Sequence, residues 1–299
     1  MFHVLTHNIL PVFAMLALGF ALGRCGRSSM DEARAANRIA FLIFQPALIF
    51  PLIAGIDFSA FDLRALGIYA LAEVVAFLAA YALARLVFHR AHLEAWLLGM
   101  CVVFVNSLLY IWPISYLIYG EAAALPITAI VAFDAAISFA FFIISMELMA
   151  GERAQGGALV RITTNPVLIA ILLGAAVNAL GVPVPVPLLT AMEFAGAAAA
   201  PLTLFALGVI LSGERLMPSP VVACIAAMKL ALFPLLVWGG MTLMLPGNAW
   251  QALFTLNAAG PSGAMAFALA LLYKVRTDAI APVIIWTSTL SLISLALLA

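Results

Sequence analysis

Long apolar runs, separated by short polar segments, recur along the whole chain. A helix needs about 20 apolar residues to cross the hydrocarbon core of a bilayer, and this template predicts ten spans. They cover residues 6–24, 37–56, 65–88, 95–119, 125–148, 163–181, 188–212, 219–245, 250–273 and 278–298. The segments between them are short, so the pattern predicts an all-α polytopic membrane protein with no separate soluble domain.

Two of the predicted spans carry polar residues and helix breakers near their centres. These residues are Asn106, Ser107 and Pro113 in the fourth span, and Asn257, Gly260, Pro261 and Ser262 in the ninth. Non-helical backbone at membrane depth is tolerated only where it is buried in protein or lines a polar cavity. Paired breaks in the two halves of a chain indicate the substrate site of a secondary transporter. We therefore predict that these residues bind the substrate.

The two halves of the chain show a weak internal repeat. An offset of 155 residues places Gly19 on Gly174 and Phe50 on Phe205, and it also aligns two prolines of the first half with two of the second. A unit of five spans must enter the bilayer in opposite senses when it is duplicated. The sequence therefore predicts two inverted five-helix repeats, residues 1–149 and 150–299, an architecture that allows alternating access.

Composition and charge narrow the class further. Of the 299 residues, 67% are hydrophobic and 9% are charged, and the mean hydropathy is +1.21. The net charge is zero, so the chain offers no basic surface for nucleic acid, and its three cysteines and four histidines show no metal-binding spacing. We find no P-loop, and no nucleophile with a neighbouring histidine inside the bilayer. The sequence thus predicts neither ATP-driven transport, nor an enzyme, nor a cofactor or metal.

The basic residues predict an orientation in the membrane. If the N-terminus lies outside, 11 of the 13 basic residues fall in cytoplasmic segments: Arg24, Arg27, Arg34, Arg38, Arg85, Arg90, Arg153, Arg161, Arg215, Lys274 and Arg276. Cytoplasmic loops carry an excess of Lys and Arg. The pattern therefore predicts a plasma (bacterial inner) membrane protein with both termini on the periplasmic or extracellular face.

Short motifs in a fixed order carry a family resemblance over nearly the whole chain. They are Leu10-Pro11-Val12 with Leu18-Gly19-Phe20, Ala35-Ala36-Asn37-Arg38, Gln45-Pro46-Ala47-Leu48-Ile49-Phe50, Thr164-Asn165-Pro166-Val167, Ala200-Pro201-Leu202, Leu204-Phe205-Ala206-Leu207-Gly208, Lys229-Leu230, Phe233-Pro234-Leu235 and Ala258-Ala259-Gly260-Pro261-Ser262. In this set the chain resembles the auxin efflux carrier family, which includes bacterial members described as permeases for malonate or other organic acids.

The resemblance implies a division of labour among the ten helices. Helices one, two, six and seven would form a scaffold, and helices three to five and eight to ten a mobile transport domain. Helices four and nine would cross at their broken midpoints, with substrate beside the crossing. One departure concerns the first break, where Val105, Leu108 and Ile111 stand in place of three glycines of the family pattern. We expect this break to be bulkier, with Tyr110 and Trp112 as candidate pocket residues.

Three ionisable residues lie deep inside predicted spans, far from either end. Charged groups there are costly and mark functional sites by default. Asp134, near the centre of span five, is a candidate substrate ligand or proton carrier. Glu73 and Lys229 occupy nearly equivalent positions of the two halves, and a buried pair between them would serve either structure or coupling. Gln45 is a candidate pocket residue from the scaffold side.

The sequence favours a secondary carrier of a small organic anion, an auxin-like or malonate-like carboxylate, that works by elevator-type movement. The alternative is a sodium-coupled organic anion symporter of the bile-acid type, which shares ten helices and a crossover; a passive channel is a further alternative. The expected partners are the anion and the lipid bilayer. Small residues such as those at 195–200 would let scaffold helices pack closely against a second copy in a homodimer.

Overall fold

The computed structural model of the protein describes residues 3, 5–150, 160, 163–213 and 218–298. These residues are almost entirely helical, and the β-type pairing among them is an isolated antiparallel bridge between Val105 and Ser262. The α-helices in chain order are α1 (Leu10–Arg24), α2 (Met30–Ile39), α3 (Gln45–Ala54), α4 (Leu63–Ala82), α5 (His92–Val103), α6 (Trp112–Tyr119), α7 (Ala124–Phe133), α8 (Phe139–Ala150), α9 (Pro166–Ala179), α10 (Val186–Gly196), α11 (Ala199–Ser212), α12 (Pro220–Ala227), α13 (Phe233–Met244), α14 (Gln251–Ala258), α15 (Met265–Leu272) and α16 (Ile280–Leu298).

Seven helical stretches of the described chain are long and apolar enough to cross a membrane. They are Leu5–Arg24, Met30–Ala54, Leu63–Val87, Ser107–Ala150, Val186–Ser212, Pro220–Met244 and Ile280–Leu298. The fourth has 44 residues, which as one helix would measure about 66 Å at 1.5 Å per residue, roughly twice the hydrocarbon core. Gly120 divides it with a φ of +62°, outside the right-handed helical region. The protein is thus a helical, multi-pass membrane protein, and its division into ten spans and two inverted halves stays a prediction.

Six π-helical turns interrupt the α-helices of the described chain. They are Leu5–Ile9, Ala40–Phe44, Leu83–Val87, Ser107–Ile111, Asp134–Ser138 and Met228–Leu232. Such turns are rare and occur often at functional sites. Three of them contain a polar residue that the sequence singles out: Ser107, Asp134 and Lys229. Each turn shifts the faces of the helix on either side of it relative to one another.

Asp62 shows how the helix ends outside the apolar core are satisfied. Its carboxylate caps α4 by accepting the backbone N–H groups of Arg64 and Ala65, both at 3.0 Å, and the Asn248 side-chain amide donates to it at 2.6 Å. The hydrogen bond from Ala65 is the main reason why the pKa of Asp62 is below its usual value. The hydrogen bond between Asn248 and Asp62 joins the segment before α14 to the segment before α4.

Helices α1 and α11 pack against each other through glycines. An added Cβ at Gly19 would overlap the carbonyl oxygen of Phe205, and an added Cβ at Gly208 would overlap the carbonyl oxygen of Leu16. The two backbones are therefore closer than any side chain larger than hydrogen allows. Close approach through small residues is a common way for helices to associate in membranes.

Replacing Gly19 with alanine should lower the free energy of unfolding by about 1–3 kcal/mol, the usual cost of overpacking. The backbone must move, because the atom that it meets is the Phe205 carbonyl oxygen and not a flexible side chain. Gly67→Ala in α4 is the matched control, since a Cβ there meets nothing within 4 Å. Thermal denaturation of the purified proteins measures both effects. Equal melting temperatures for the two variants would contradict the close α1–α11 contact.

Candidate functional site at the crossing of two broken helices

The two helices predicted to be broken are interrupted, and their interruptions meet. The first ends at Val103 and resumes at Ser107, and the second ends at Ala258 and resumes at Met265. The backbone N–H of Asn106 donates to the Pro261 carbonyl at 3.0 Å, and the N–H of Gly263 donates to the Phe104 carbonyl at 2.8 Å. Each break thereby supplies hydrogen-bond partners for the other, as a low-dielectric environment demands.

Side chains of Ser262 itself and of two other segments, the Met228–Leu232 turn and α16, bond to further backbone groups at the crossing. The Ser262 hydroxyl donates to the Cys101 carbonyl at 2.6 Å, and the Ser262 N–H donates to the Thr287 hydroxyl at 3.2 Å. Lys229 donates to the Ala258 carbonyl at 2.6 Å, and the Ser294 hydroxyl donates to the Ala259 carbonyl at 3.0 Å. The second break is thus fixed in place from several sides.

The bulky residues of the first break fit against a glycine of the second. An added Cβ at Gly260 would overlap the side chain of Ile111. Where the family pattern has glycine, this chain has isoleucine at 111, and the isoleucine fills the space that Gly260 leaves. The two segments are complementary in size, which accounts for the departure without any loss of packing.

A cavity of about 190 Å³ lies beside the crossing. At roughly 30 Å³ per water molecule in the liquid, it holds about six waters or one small organic molecule. Most of its wall is apolar. Its polar lining residues are Asn37, Gln45, Asn106, Ser107, Asp134, Asn165 and Thr203. The wall is built by residues of α2, α3, α9 and α11 on one side and by both broken helices and the Asp134–Ser138 turn on the other.

Several of the polar lining groups already have partners. The Gln45 amide donates to the Thr203 hydroxyl at 3.3 Å, and the Ser107 hydroxyl donates to Oδ2 of Asp134 at 3.2 Å. Asn165 caps α9 by accepting the N–H groups of Val167 and Leu168. The side chain of Asn106 makes no hydrogen bond within the described part of the chain, although it stands at the helix start. Asn106 is therefore available to a ligand.

Two helix beginnings also open onto the cavity. Residues 107–109 start the helical segment after the first break, and residues 263–265 lead into α15 after the second. The first N–H groups of a helix have no acceptor within it and give the N-terminus a partial positive charge. Two such ends on one wall favour an anion. Asp134 is the only charged side chain among the described lining residues.

The structure places five of the predicted binding residues away from this cavity. Asn257 is 0% exposed and its amide donates to the Tyr69 hydroxyl at 2.8 Å. Gly260, Pro261 and Ser262 are buried within the crossing, where they hold the two breaks together. Pro113 is in the first turn of α6, a position where proline is tolerated. None of the five lines this cavity in the structure, and their role as direct substrate ligands stays a prediction.

Tyr110 and Trp112 also differ from expectation. Tyr110 is fully buried, and Trp112 lines a second, more apolar cavity of about 290 Å³ with Pro113 and residues of α1, α3 and α11. Leu108 lines both cavities. The bulk at the first break therefore separates two cavities and does not enlarge one.

The three ionisable residues of the spans are buried close to one another but do not form the expected ion pair. Lys229 is 0% exposed, donates to the Ala258 carbonyl and lies 4.9 Å from the centre of the Phe233 ring. No ion pair within 4.0 Å joins Lys229 to Glu73 or Asp134 among the described residues. Lys229 thus bonds to the backbone of the broken helix and not to Glu73. It acts on the carboxyl groups of Glu73 and Asp134 only through its charge, from a distance.

Sequence reasoning missed Asn37 and Asn165 as lining residues. Both occur in motifs that carry the family resemblance, but neither lies in the middle of an apolar run. The Asn-Pro step at 165 is a helix-start signal, and that signal predicts a cap and not a pocket. The only cue for either residue is an amide side chain close to the end of a span.

An interrupted pair of membrane helices with a cavity at their crossing is the arrangement of a transporter. The chain belongs to the auxin efflux carrier family: the model of this family, described as "Membrane transport protein", matches residues 4–158 and 154–299. It is 26% identical over 303 residues to a protein of Rhizobium meliloti (strain 1021) named "Putative malonate transporter", with 96% of this chain and 92% of that protein covered. It is 25% identical over 299 residues to a protein of Methanothermobacter thermautotrophicus named "Uncharacterized transporter", with 98% and 96% covered.

Proposed function

We propose that this transporter is a secondary carrier that moves a small organic anion across the membrane by elevator-type alternating access. The observation that carries the proposal is the cavity beside the crossing. It is small, mainly apolar and faced by two helix N-termini, and it lies between two groups of helices that would move relative to one another.

The substrate class follows from the chemistry of the wall. The helix N-termini and the free amide of Asn106 offer donors to a carboxylate, and Leu109, Val131 and Met265 offer apolar surface to its remaining atoms. A malonate-like or auxin-like acid has both features. The printed name of the Rhizobium relative, which refers to malonate, supports a carboxylate.

The proposed architecture is ten helices in two inverted repeats, residues 1–149 and 150–299. Two contacts support it. Gly19 packs on the backbone of Phe205, and Gly174 packs on the backbone of Phe50, where an added Cβ would lie 3.0 Å from the carbonyl oxygen. These four residues are related by the same offset of 155 that the sequence shows, so the contacts correspond under exchange of the two halves.

The proposed domains share the cavity between them. The scaffold comprises spans one, two, six and seven, in which α1 packs on α11 and α3 packs on α9. The transport domain comprises spans three to five and eight to ten, in which α4 packs on α5 and α13. Movement of the second group past the first would carry the crossing, and the cavity with it, across the bilayer.

The proposed orientation puts both termini on the outer face. Of the exposed arginines, Arg24 and Arg27 lie where α1 stops, and Arg34 and Arg38 lie on the following helix α2. The other basic residues Arg153, Arg161 and Arg215 fall outside the described residues. The cavity extends from the crossing toward the exposed arginines. Asn37 on α2 and Asn165 at the start of α9 are part of its wall. In the proposed orientation the site therefore faces the cytoplasm.

A sodium-coupled carrier of the bile-acid type is the second candidate. The observation in its favour is a set of buried oxygens that have no hydrogen-bond donor: Oε1 of Glu73, Oδ1 of Asp134 and Oδ1 of Asn257. A cation beside the crossing would satisfy them. Stimulation of anion uptake by sodium at constant pH would favour this candidate.

Counterflow in liposomes tests the proposed function. Purified protein is reconstituted with an internal pool of a candidate acid (malonate, a monocarboxylate or indole-3-acetate), and uptake of the labelled acid is measured with and without sodium. We expect Ala268→Phe, which fills the cavity wall, to abolish counterflow by the acid that wild type transports. Ala191→Phe, on the exposed surface of α10, is the control. Full activity of Ala268→Phe would remove the cavity from the transport path.

A further inference from the structure

Two buried carboxylic acids, Glu73 and Asp134, meet at one π-helical turn. Glu73 lies on α4 and Asp134 begins the π-helical turn Asp134–Ser138. Both side chains are buried, with exposures of 7% and 4%, and the carboxyl group of Glu73 accepts a hydrogen bond from Ser138, which ends the turn that Asp134 begins. Only Asp134 also lines the cavity.

The hydrogen bonds around the pair leave one position open on each residue. The Ser138 hydroxyl donates to Oε2 of Glu73 at 3.1 Å, and the Ser107 hydroxyl donates to Oδ2 of Asp134 at 3.2 Å. The remaining oxygens, Oε1 of Glu73 and Oδ1 of Asp134, have no donor. An ionised carboxylate only accepts hydrogen bonds, so two ionised groups cannot satisfy each other.

Other charged and titratable groups around the pair do not supply the missing donor. Lys229 faces it from the Met228–Leu232 turn, but its ammonium is bonded to the Ala258 carbonyl. Tyr69, one turn before Glu73 on α4, has its hydroxyl bonded to Asn257. Both influence the pair electrostatically, and neither is bonded to it.

We propose that Glu73 and Asp134 form a proton-binding site, in which one proton is held between Oε1 of Glu73 and Oδ1 of Asp134. When two carboxyl groups are buried at one helical turn, ionising both is unfavourable, and a carboxylic acid can donate to its ionised neighbour. With one proton the pair carries a single negative charge, which Lys229 balances. The pair titrates as a unit and not as two separate acids.

The site explains how charge is balanced during transport, an extension that rests on the proposed function. An anion in the cavity adds a negative charge next to Asp134. Uptake of a second proton by the pair balances one negative charge of the substrate, so one proton crosses with each substrate anion. Asp134 exchanges the proton with the cavity, and Glu73 is the inner partner without access to it.

Infrared spectroscopy of the purified protein tests the site without any transport. Wild type at neutral pH should show the carbonyl band of a protonated carboxylic acid, shifted in deuterated water. Glu73→Gln and Asp134→Asn should each lose this band, because the amide supplies the donor that the remaining carboxylate lacks. Glu193→Gln, which changes an exposed glutamate, should keep it. A band that survives in either single variant, or that is absent from wild type, overturns the site.

A stability measurement supplies a second readout if one variant does not fold. A proton held only by the folded state makes stability fall as pH rises, since the unfolded state binds fewer protons. The melting temperature of wild type should therefore drop as the pH rises through the range in which the pair loses its proton, and this slope should be flatter in whichever variant folds. Loss of the infrared band on addition of sodium at fixed pH would show a cation site and overturn the proposal.

The two proposals fail separately. Counterflow of an anion by wild type without the infrared band removes the proton site and leaves the carrier. The band in a protein that shows no counterflow with any acid of the panel removes the anion carrier and leaves the proton site.

Discussion

Lys229→Met is expected to abolish transport and to lower the free energy of unfolding by about 3–5 kcal/mol, the usual cost of removing one partner from a group of buried charges. Methionine keeps nearly the length of the lysine side chain and its apolar packing against Phe233. What it removes is the ammonium group, which is the only positive charge near Glu73 and Asp134 in the described part of the chain.

Two losses add up at this position. The Ala258 carbonyl, at the end of α14, loses its donor, and a buried acceptor left without a partner costs about 1–3 kcal/mol. The carboxyl pair also loses the charge that balances it. Loss of the donor to Ala258 loosens the break in the second helix. Loss of the balancing charge leaves a net negative charge at membrane depth.

A second substitution separates these effects. Lys229→Met combined with Glu73→Gln and Asp134→Asn removes the negative charge of the pair together with the ammonium, so it should recover the electrostatic part of the loss but not the part due to the Ala258 carbonyl. Lys274→Met, at an exposed position after α15, controls for the loss of a lysine as such. Thermal unfolding and counterflow of the four proteins give the comparison. A Lys229→Met protein as stable and as active as Lys274→Met would rule out both roles.

The two broken helices can be predicted from the sequence because unsatisfied backbone groups cost free energy inside a membrane. Asn106 and Gly260 lie inside apolar runs that would otherwise be continuous helices. A break there is tolerated only where the backbone is buried in protein or lines a cavity. The position of Pro113 is misleading, because proline breaks the middle of a helix but fits its first turn. The chain breaks at residues 104–106, before the proline, so the proline marks the restart of the helix and not the gap.

The direction in which an individual side chain points is much harder to predict than the position of a helix break. In a regular helix each residue turns the face by about 100°, and one extra residue in a π-helical turn shifts everything after it by about that amount. Asp134 and Lys229 both lie in such turns. Periodicity therefore cannot tell that Asp134 faces the cavity and that Lys229 faces the Ala258 carbonyl.

Contacts between distant parts of the chain explain the remaining differences. Asn257 is held by Tyr69, which lies in the other half of the chain, and Glu73 is bonded to Ser138 in the turn of Asp134 and not to Lys229. An amide or carboxyl group inside an apolar run indicates that a hydrogen-bond partner is present. Which residue is the partner depends on how the helices pack. The sequence thus identifies the residues that matter at the crossing better than it identifies what each one touches.

Asn106→Ala is expected to weaken anion binding about 10-fold or more while leaving stability nearly unchanged. The Asn106 side chain faces the cavity and bonds to no described residue, so its removal breaks nothing in the empty protein. A hydrogen bond to a charged ligand contributes about 1.5–3 kcal/mol, which corresponds to roughly 10- to 150-fold in affinity. Ligand-induced thermal stabilisation measures the affinity by mass action.

The same substitution at two other asparagines should give the opposite pattern. Asn257→Ala leaves the buried Tyr69 hydroxyl without its partner and should cost about 1–3 kcal/mol of stability. Asn165→Ala removes the cap of α9 and should cost about 1 kcal/mol. Both changes act on the protein before any anion is present, so their melting temperatures should fall without ligand, and the shift caused by ligand should be largely retained. If Asn257→Ala instead kept full stability and lost the ligand shift, the anion would bind within the crossing itself, and the cavity beside it would be only a route of access.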